Sequence, residues 1–424
     1  YGEDGTLRFG LMSGSYQNRD DGGRLRKVIS DMAGNSDASD DEINLADGTF
    51  NTGVNGIIST LNKIRINSWD FGSHVYRDCD TYGISIDTYL TSGATNRKCS
   101  NWGNPISELY LEAVRYLAGG GGGANTLNPA APTPAFVEGG ADPLSLPTAA
   151  WDDPMASDEW CAPMNVVLLS SGDNSFDRDG LGSVPGVLGT ISTATNAIGV
   201  QEGFSGGVFI GDQTTEPTTN NTDSFSCTAK PFNSLSNMNG LCPATPTKQG
   251  GYAVAGIAYQ AHITDLRNDR QNDPLTGEGQ TINTFAVAMA KSLPDFVFNI
   301  GGSRIGLVPN AYAGPTNDTP DLDDSSWKAS SLAQLEVEEA EYDDGGNLTY
   351  VRFLAYWEDS AWGNDYDMDV VSRIAACVAD ECLNHDDDND GIPDTAGSGT
   401  LRVTTRIVQA NAGVSMKVGY VIGG

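Results

Sequence analysis

The sequence predicts an α/β fold followed by a β-rich part, and three observations support this prediction. Apolar segments up to about residue 291 alternate between strand-like runs and stretches with helical spacing, as in a sheet flanked by helices. Beyond residue 295, the apolar segments all resemble strands. Hydrophobic residues make up 39% of the 424 residues, enough for a sizeable core. We predict an α/β domain over 1–295, with insertions at 119–164 and 172–250, and a β-rich domain over 296–424.

The elements of the first domain are predicted from the spacing of apolar residues. Residues 105–117 form the clearest helix, because Pro105 lies at a first-turn position and the apolar side chains form one stripe. Residues 165–171 are a short apolar run followed by turn residues, which indicates a buried central strand. The other predictions are strands at 6–15, 24–31 and 282–291, helices at 54–66 and 251–267, and loops at 124–150 and 172–250.

The second domain is predicted to consist mainly of strands. The segment Asp343–Gly346 separates two strand-like runs and has the composition of a hairpin turn. A helix is predicted to begin near Asp369, and Asp365, Asp367 and Asp369 would either cap it or help to bind a cation. The predicted strands are 295–308, 332–342, 348–357, 400–410 and 414–422.

The charge of the chain excludes several classes of partner. Lys and Arg total 24 and Asp and Glu total 56, so the formal net charge is −32. A phosphate backbone or an anionic membrane needs basic residues, so neither is an expected partner. There is no apolar window of about 18 residues, so no membrane span is predicted.

The chain begins at Tyr1, and we interpret it as a processed or excerpted piece of a larger protein.

The seven cysteines form three pairs that are close in sequence, with Cys161 left over. The pairs are Cys79 with Cys99, Cys227 with Cys242, and Cys377 with Cys382. None has the CxxC spacing of a zinc site. Local pairs that close loops indicate disulfides and an oxidising compartment, and the alternative is a set of buried thiols.

The strongest chemical signal is the acidic segment from Asp386 to Asp394, which reads DDDNDGIPD. Carboxylates at its alternate positions converge when the chain turns, and Gly391 permits the turn. We predict one calcium ion held by Asp386, Asp388, Asp390, the Ile392 carbonyl and Asp394, with Asp387 and Asn389 pointing outward. The twelfth position is Gly397, so the bidentate glutamate of an EF-hand is absent, and the string resembles thrombospondin type 3 loops. The alternative is a solvated acidic loop.

A G-x-S-x-G string occurs at residues 203–207, with Ser205 at its centre. A nucleophile elbow needs a strand before the serine and a helix after it. Here strand-like residues follow the serine, and none of the three histidines lies in a recognisable triad context. We therefore favour a glycine-rich turn over a serine hydrolase.

Several long segments, in order along nearly the whole chain, resemble the PilY/PilC-type tip adhesins of type IV pili, in their N-terminal von Willebrand factor A-like half. The segments are RFGLMSGSYQN at 8–18, GGRLRKVISDM at 22–32, WGNPISELYLEAVRYLAG at 102–119, LLSSGDNSFDRDGL at 168–181, LCPATPTKQGGY at 241–252, DLRND at 265–269, TFAVAMAKSLP at 284–294, DYDMDVVSRIAACV at 365–378 and GYVIGG at 419–424.

The resemblance implies a fold, a location and a role. The first domain would be a von Willebrand factor A-like, Rossmann-type sheet that lacks its first strand. The protein would be exported through the periplasm to the pilus tip or cell surface, which favours the disulfides. It would prime pilus assembly with minor pilins and support adhesion to host or abiotic surfaces and surface sensing. Nothing in the chain resembles the blades of the family's C-terminal β-propeller, so the calcium site of that propeller is not transferred.

The chain departs from the metal-adhesion motif of von Willebrand A domains. No D-x-S-x-S string is present, Asn104 stands where a threonine is expected, and Ser171 stands where an aspartate is expected. We therefore predict no functional metal-adhesion site within these residues.

The sequence leads to one main functional interpretation and two alternatives. The main one is a non-enzymatic, extracellular pilus-tip adhesin and biogenesis factor. One alternative is a protein that associates with copies of itself into an extracellular filament, through a sheet edge exposed by the missing first strand. The other is a secreted hydrolase, which would depend on Ser205.

Overall fold

The computed structural model describes residues 6–14, 22–34, 39–64, 69–70, 75–76, 104–119, 145–155, 159, 161–170, 173–177, 181, 188–213, 227–244, 250–270, 274, 277–288, 296–314, 327–358, 369–411 and 415–423. All structural statements concern these residues. Cys79, Cys99, Ser171, Asp365 and Asp367 lie outside them, as do the predictions made for those residues.

The described part of the chain is a mixed α/β structure in which strands predominate. Its first part contains β1 (Phe9–Gly14), β2 (Gly23–Ser30), α1 (Ile57–Lys63), β3 (Trp69–Asp70), β4 (Val75–Tyr76), α2 (Ile106–Leu117), β5 (Met164–Ser170), α3 (Ile191–Gln201), β6 (Gly207–Gln213), β7 (Thr228–Pro231), β8 (Met238–Leu241), α4 (Ala253–Ile263) and β9 (Ile282–Ala288). The predicted strands at 6–15 and 282–291 and the helices at 54–66, 105–117 and 251–267 are confirmed with shorter bounds. The predicted strands at 24–31 and 165–171 are confirmed with both ends one residue earlier.

Helix α2 forms because its apolar stripe packs into the core of the first part. Tyr110 and Val114 are fully buried there, together with Ile257 of α4 and Ile282 of β9. Pro105 supplies no capping side chain. Instead, the buried carboxylate of Asp177 accepts hydrogen bonds from the Ser107 amide at 2.5 Å and the Ser107 hydroxyl at 2.7 Å. A carboxylate at the positive end of the helix dipole stabilises the first turn.

Strands β5 and β9 pair in parallel, and one face of this pair exposes apolar side chains. The exposed fractions are 63% for Val167, 67% for Leu169, 57% for Phe285 and 50% for Val287. Parallel strands are usually covered on both faces. In the described residues, β1 and β2 form a separate antiparallel sheet, so these residues do not show a complete Rossmann-type sheet.

The insertion at 172–250, predicted as a loop region without its own core, is folded, and that prediction is wrong. It contains α3 and a three-stranded sheet in the order β7-β6-β8. Ile210, Leu235 and Met238 form a small buried cluster within it. Helix α3 packs against α4 where Gly256 lies beside Thr195, and a Cβ on Gly256 would be 2.2 Å from the Thr195 hydroxyl oxygen.

The second part is an eight-stranded sheet. Its strands are β10 (Phe296–Ile300), β11 (Ser303–Ala313), β12 (Lys328–Ala329), β13 (Ser331–Tyr342), β14 (Leu348–Glu358), β15 (Val370–Val378), β16 (Leu401–Ala410) and β17 (Met416–Gly423). They are hydrogen-bonded in the order β12-β11-β10-β14-β15-β16, with β13 also paired to β14 and β17 to β11. The described helices include none that is both long and apolar enough to cross a membrane.

Strands β13 and β14 confirm the predicted hairpin. Its turn is held by the Asp343 carboxylate, which accepts hydrogen bonds from the amides of Gly345 at 2.8 Å and Asn347 at 2.9 Å. These hydrogen bonds lower the pKa of Asp343, with the Asn347 side chain making the largest contribution. Gly346 has a φ of 76°, which favours glycine at this turn position.

Two predictions for the second part are wrong. Residues 295–308 are not one strand, because Gly301 and Gly302 both have positive φ and turn the chain between β10 and β11. The residues after Asp369 form strand β15 instead of a helix. Nearly every residue of β15 is buried, since β14 and β16 flank it and both of its faces are covered.

A disulfide closes a loop of the insertion, and hydrogen bonds connect this loop to the second sheet. Cys227 and Cys242 are joined, as predicted, and the next residue, Pro243, accepts a hydrogen bond from the Leu332 amide at 2.9 Å. The Tyr312 hydroxyl donates to the Cys227 carbonyl. Cys161 is exposed and forms no disulfide with another described cysteine.

The first testable prediction concerns the buried Arg267. Its guanidinium is fully buried and contacts both Asp153 oxygens, at 2.9 Å and 3.1 Å, and also Asp269. In Asp153→Asn the buried charge loses an ionic partner, so we expect the free energy of unfolding to fall by about 2 kcal/mol in urea denaturation. The control is Glu159→Gln, in the more exposed pair with Arg8, which should cost less than about 1 kcal/mol. Equal losses in the two variants would contradict the prediction.

Candidate metal centre

The acidic loop from Asp386 to Asp394 connects β15 to β16 through a short 3-10 helix, Ala379–Asn384. The disulfide between Cys377, in β15, and Cys382, in the helix, is present as predicted. Cys377 is the penultimate residue of the strand, and the disulfide folds the following residues back over the sheet. The disulfide therefore fixes the position of the 3-10 helix from which the acidic loop begins.

The strand register determines which side chains lie under this loop. Glu341 of β13 lies opposite Tyr350 of β14, and Tyr350 lies opposite Cys377 of β15. Side chains of directly opposite residues share one face of a sheet. The disulfide and the Tyr350 ring are thus on the same face, and the loop packs there.

Asp387 is a buried anchor of the loop, and the prediction that it points outward is wrong. Its carboxylate accepts a hydrogen bond from the Tyr350 hydroxyl at 3.0 Å and lies 3.4 Å from an Arg352 nitrogen. Burial raises the pKa of Tyr350, and the negative charge of Asp387 raises it further. Tyr350 therefore remains a neutral donor at physiological pH.

The structure brings Asp386, Asp388 and Asp390 together, as the alternate spacing predicts. Their carboxylate oxygens lie within 4.8 Å of one another, and all three residues are exposed. The Asp386 carboxylate also accepts hydrogen bonds from the amides of Asp390 at 3.1 Å and Gly391 at 3.0 Å. Gly391 has a φ of 84°, consistent with its predicted role in the turn.

Asp394 does not join this cluster. It is buried, and one carboxylate oxygen accepts a hydrogen bond from the Asp387 amide at 3.1 Å. The other oxygen lies 2.5 Å from an Arg402 nitrogen, and the same nitrogen contacts Asp388 at 2.8 Å. Arg402 thus provides the positive charge nearest to Asp394.

The three clustered aspartates fit a hard cation in donor type and in spacing. Calcium takes six to eight oxygen ligands, which carboxylates supply singly or in pairs and water completes. Asp394 is engaged by Arg402 and by the Asp387 amide, so it fits the ligand set only if Arg402 moves away. The side chain of Ile392 is exposed, which is compatible with a role for its carbonyl alone.

Asn104, which the sequence analysis compared with a threonine of the metal-adhesion motif, makes several hydrogen bonds. The Asn104 side-chain amide donates to the Ser170 hydroxyl at 3.0 Å and to the Asp173 carbonyl at 3.1 Å. The Asn104 backbone amide donates to the Ser175 hydroxyl. Asn104 therefore fastens the start of α2 to the residues after β5.

Two other residues that the sequence analysis singled out, Ser205 and Asp369, lie in the described part of the chain. Ser205 lies in the turn between α3 and β6, so a helix precedes it and a strand follows it. This order agrees with the predicted glycine-rich turn. Asp369 directly precedes β15 and is buried, so it does not cap a helix.

Comparisons with known proteins identify relatives. A family model described as the second domain of PilY1 homologs matches residues 9–261. A type IV pilus biogenesis factor PilY1 homolog of Xylella fastidiosa (strain Temecula1 / ATCC 700964) is 28% identical, with 89% of this chain and 26% of that protein covered. The chain therefore spans about a quarter of the length of this curated relative. No solved structure matches the chain.

The second testable prediction separates the buried aspartate from the exposed ones. In Asp394→Asn the new side chain can still accept from the Asp387 amide but loses its charge beside Arg402. We expect the free energy of unfolding, measured in urea with excess chelator, to fall by about 2 kcal/mol. In Asp390→Asn, repulsion with Asp386 and Asp388 is relieved, so no loss is expected. A larger loss for Asp390→Asn than for Asp394→Asn would contradict the prediction.

Proposed function

The chain belongs to the family of PilY1 homologs, and from this premise we propose that it is part of a type IV pilus tip-associated adhesin and biogenesis factor. The observation that carries the proposal is the family match over residues 9–261, together with the name of the Xylella relative. In this proposal the protein primes pilus assembly with minor pilins, attaches to host or abiotic surfaces and takes part in surface sensing.

The chemistry of the chain supports an exported, non-enzymatic role. Two disulfides suit an oxidising compartment such as the periplasm or the cell exterior. Ser205 lies in a turn of the wrong order for a nucleophile elbow. His385 stacks on Tyr350, and His262 is exposed on α4. These features support the proposal that the protein acts at the pilus tip or the bacterial cell surface without catalysing a reaction.

We also propose that the first part is von Willebrand factor A-like. The parallel pairing of β5 with β9, the crossover between them through α3 and α4, and the packing of α2 and α4 in one core support this proposal. The apolar side chains on both faces of β5 agree with it, because the strands of a doubly wound sheet are apolar on both faces.

The exposed apolar face of the β5–β9 pair favours a second candidate function, self-association into an extracellular filament. Val167, Leu169, Phe285 and Val287 together present an apolar surface that a second copy of the chain could cover. Light scattering after size-exclusion chromatography distinguishes this candidate from the main proposal, because a tip protein elutes as a monomer. Replacing Val167 and Phe285 with lysine would dissolve an assembly held by this face.

The third testable prediction is the cellular one. In the bacterium that encodes the chain, deletion of the whole gene should reduce both surface pili, counted by electron microscopy, and attachment to glass. The full gene should restore both, and the gene without the coding region for this chain should not. Normal numbers of pili with lost attachment would remove the priming role and keep the adhesive one. Unchanged piliation and attachment would overturn the proposal.

We further propose that the acidic loop binds one calcium ion through Asp386, Asp388 and Asp390, with the Ile392 carbonyl, Asp394 once released by Arg402, and water completing the shell. The role is structural, because the ion would offset repulsion among the clustered carboxylates and steady the start of β16. The absent twelfth-position carboxylate argues for a dissociation constant on the order of 10⁻⁴ M.

The fourth testable prediction examines this ion. Chelator should lower the melting temperature of the parent chain, and Asp388→Ala should have the same effect, with chelator adding little to the variant. The control is Asp344→Ala, an exposed aspartate in the β13–β14 turn, which should respond to chelator as the parent does. Calorimetry that detects no calcium binding at millimolar concentration would remove the proposal.

A further inference from the structure

A second group of ligand-type side chains lies beside the acidic loop and shares no residue with it. The group consists of Glu341 at the end of β13, Glu381 in the 3-10 helix, and His385 directly before the loop. One potential ligand atom from each lies within 4.8 Å of the other two. All three are partly buried, whereas the three clustered aspartates are exposed.

His385 is held firmly and has an unused nitrogen. Its side chain is only 8% exposed, and its ring stacks on Tyr350 with centroids 3.4 Å apart and planes within 3°. Its amide donates to the Cys382 carbonyl at 3.1 Å, and its carbonyl accepts from the Asp394 amide at 2.7 Å. The Nε2 atom is buried and has no hydrogen-bond partner. A buried polar atom without a partner calls for an explanation.

The carboxylates of Glu341 and Glu381 lie beside the ring that carries this unpartnered nitrogen. Glu341 Oε2 lies 3.5 Å from His385 Nε2, and the contact does not have hydrogen-bond geometry. Two ligands of a tetrahedral ion with bonds of roughly 2.1 Å lie about 3.4 Å apart, so the pair already has the spacing of ligands. The Asn384 side chain donates to Glu381 Oε1 at 2.7 Å and so orients that carboxylate.

We propose that Glu341, Glu381 and His385 form a site for a divalent transition-metal ion of the zinc class. An imidazole nitrogen with two carboxylates suits zinc, whereas calcium prefers oxygen ligands only. Water would complete the tetrahedron. The ion would join the β13–β14 hairpin to the disulfide-closed helix, so its role is to tie the loop to the sheet.

The strand register that positions the acidic loop also positions the residues of this proposed zinc site. Glu341 and Cys377 flank Tyr350 across three strands, and the disulfide of Cys377 carries Glu381 and His385 to the same face. In metal sites, neighbouring side chains commonly hold the ligands in the right orientation. Here Asn384 orients Glu381, and the Tyr350 ring orients His385. The site therefore does not depend on calcium in the neighbouring loop.

The fifth testable prediction uses zinc chloride as the probe. Calorimetry is carried out on the Cys161→Ser chain in excess calcium, so that neither the exposed thiol nor the acidic loop competes for zinc. We expect one zinc ion per chain and a rise in melting temperature. His385→Phe, which keeps a ring to stack on Tyr350, and Glu381→Gln, which keeps the acceptor for Asn384, should each raise the dissociation constant more than about tenfold.

The matched control is His262→Phe, which removes an exposed imidazole from α4 and should leave the dissociation constant unchanged. The melting temperatures of all variants in chelator show whether the fold is intact. If His385→Phe has lost its fold, Glu381→Gln decides the question. Zinc binding that is absent from the parent, or that survives in a folded His385→Phe or in Glu381→Gln, would overturn the proposal. If the parent chain does not bind zinc, Glu341, Glu381 and His385 form only a contact between a histidine and two glutamates.

Discussion

The position of Tyr350 in strand β14 is the constraint on which the C-terminal part of the molecule depends. Its register with Glu341 and Cys377 places three side chains in a row across the sheet. The ring stacks on His385, and the hydroxyl donates to Asp387. A slip of one residue in β14 would turn Tyr350 to the opposite face. Both candidate metal groups would then lose their support, although neither has Tyr350 as a ligand.

Three arginines of this acidic chain pair with carboxylates at sites where the arginine or the carboxylate is buried. Arg267 is enclosed between Asp153 and Asp269, Arg352 lies beside Asp387, and Arg402 lies beside Asp394. A buried carboxylate without a partner is costly, and the fork of a guanidinium can serve two partners at once. At these three places the guanidinium offsets the negative charge of the carboxylate beside it.

The sequence predicts well those features that depend on neighbouring residues. The hairpin turn at Asp343–Gly346 and the convergence of Asp386, Asp388 and Asp390 both follow from local spacing, and both are present. Helix α3 was not predicted, because its two threonines and one glycine leave a weak apolar stripe. Its small residues are used for close packing instead, as at Thr195 against Gly256.

Features set by strand pairing could not be predicted. The acidic run before β15 resembles a helix cap, yet the residues that follow are buried between β14 and β16 and form a strand. Asp387 has the same local chemistry as Asp386, and only the position of Tyr350 turns it inward. His385 shows no motif in the sequence, and it gains its neighbour Glu341 from a strand more than forty positions earlier.

The five aspartates of the acidic loop form two groups, which differ in burial. Asp387 and Asp394 are buried, and Tyr350, Arg352 and Arg402 meet them from the sheet. The other three lie at the exposed end of the turn, with Arg402 touching only Asp388 among them. The protein thus compensates internally for the carboxylates that hold the loop in place. Asp386, Asp388 and Asp390 retain more negative charge than the one contact of Arg402 with Asp388 offsets, and their spacing suits a hard cation. Any effect of such a cation should therefore begin at the tip of the loop, and it reaches the buried base only if Arg402 releases Asp394.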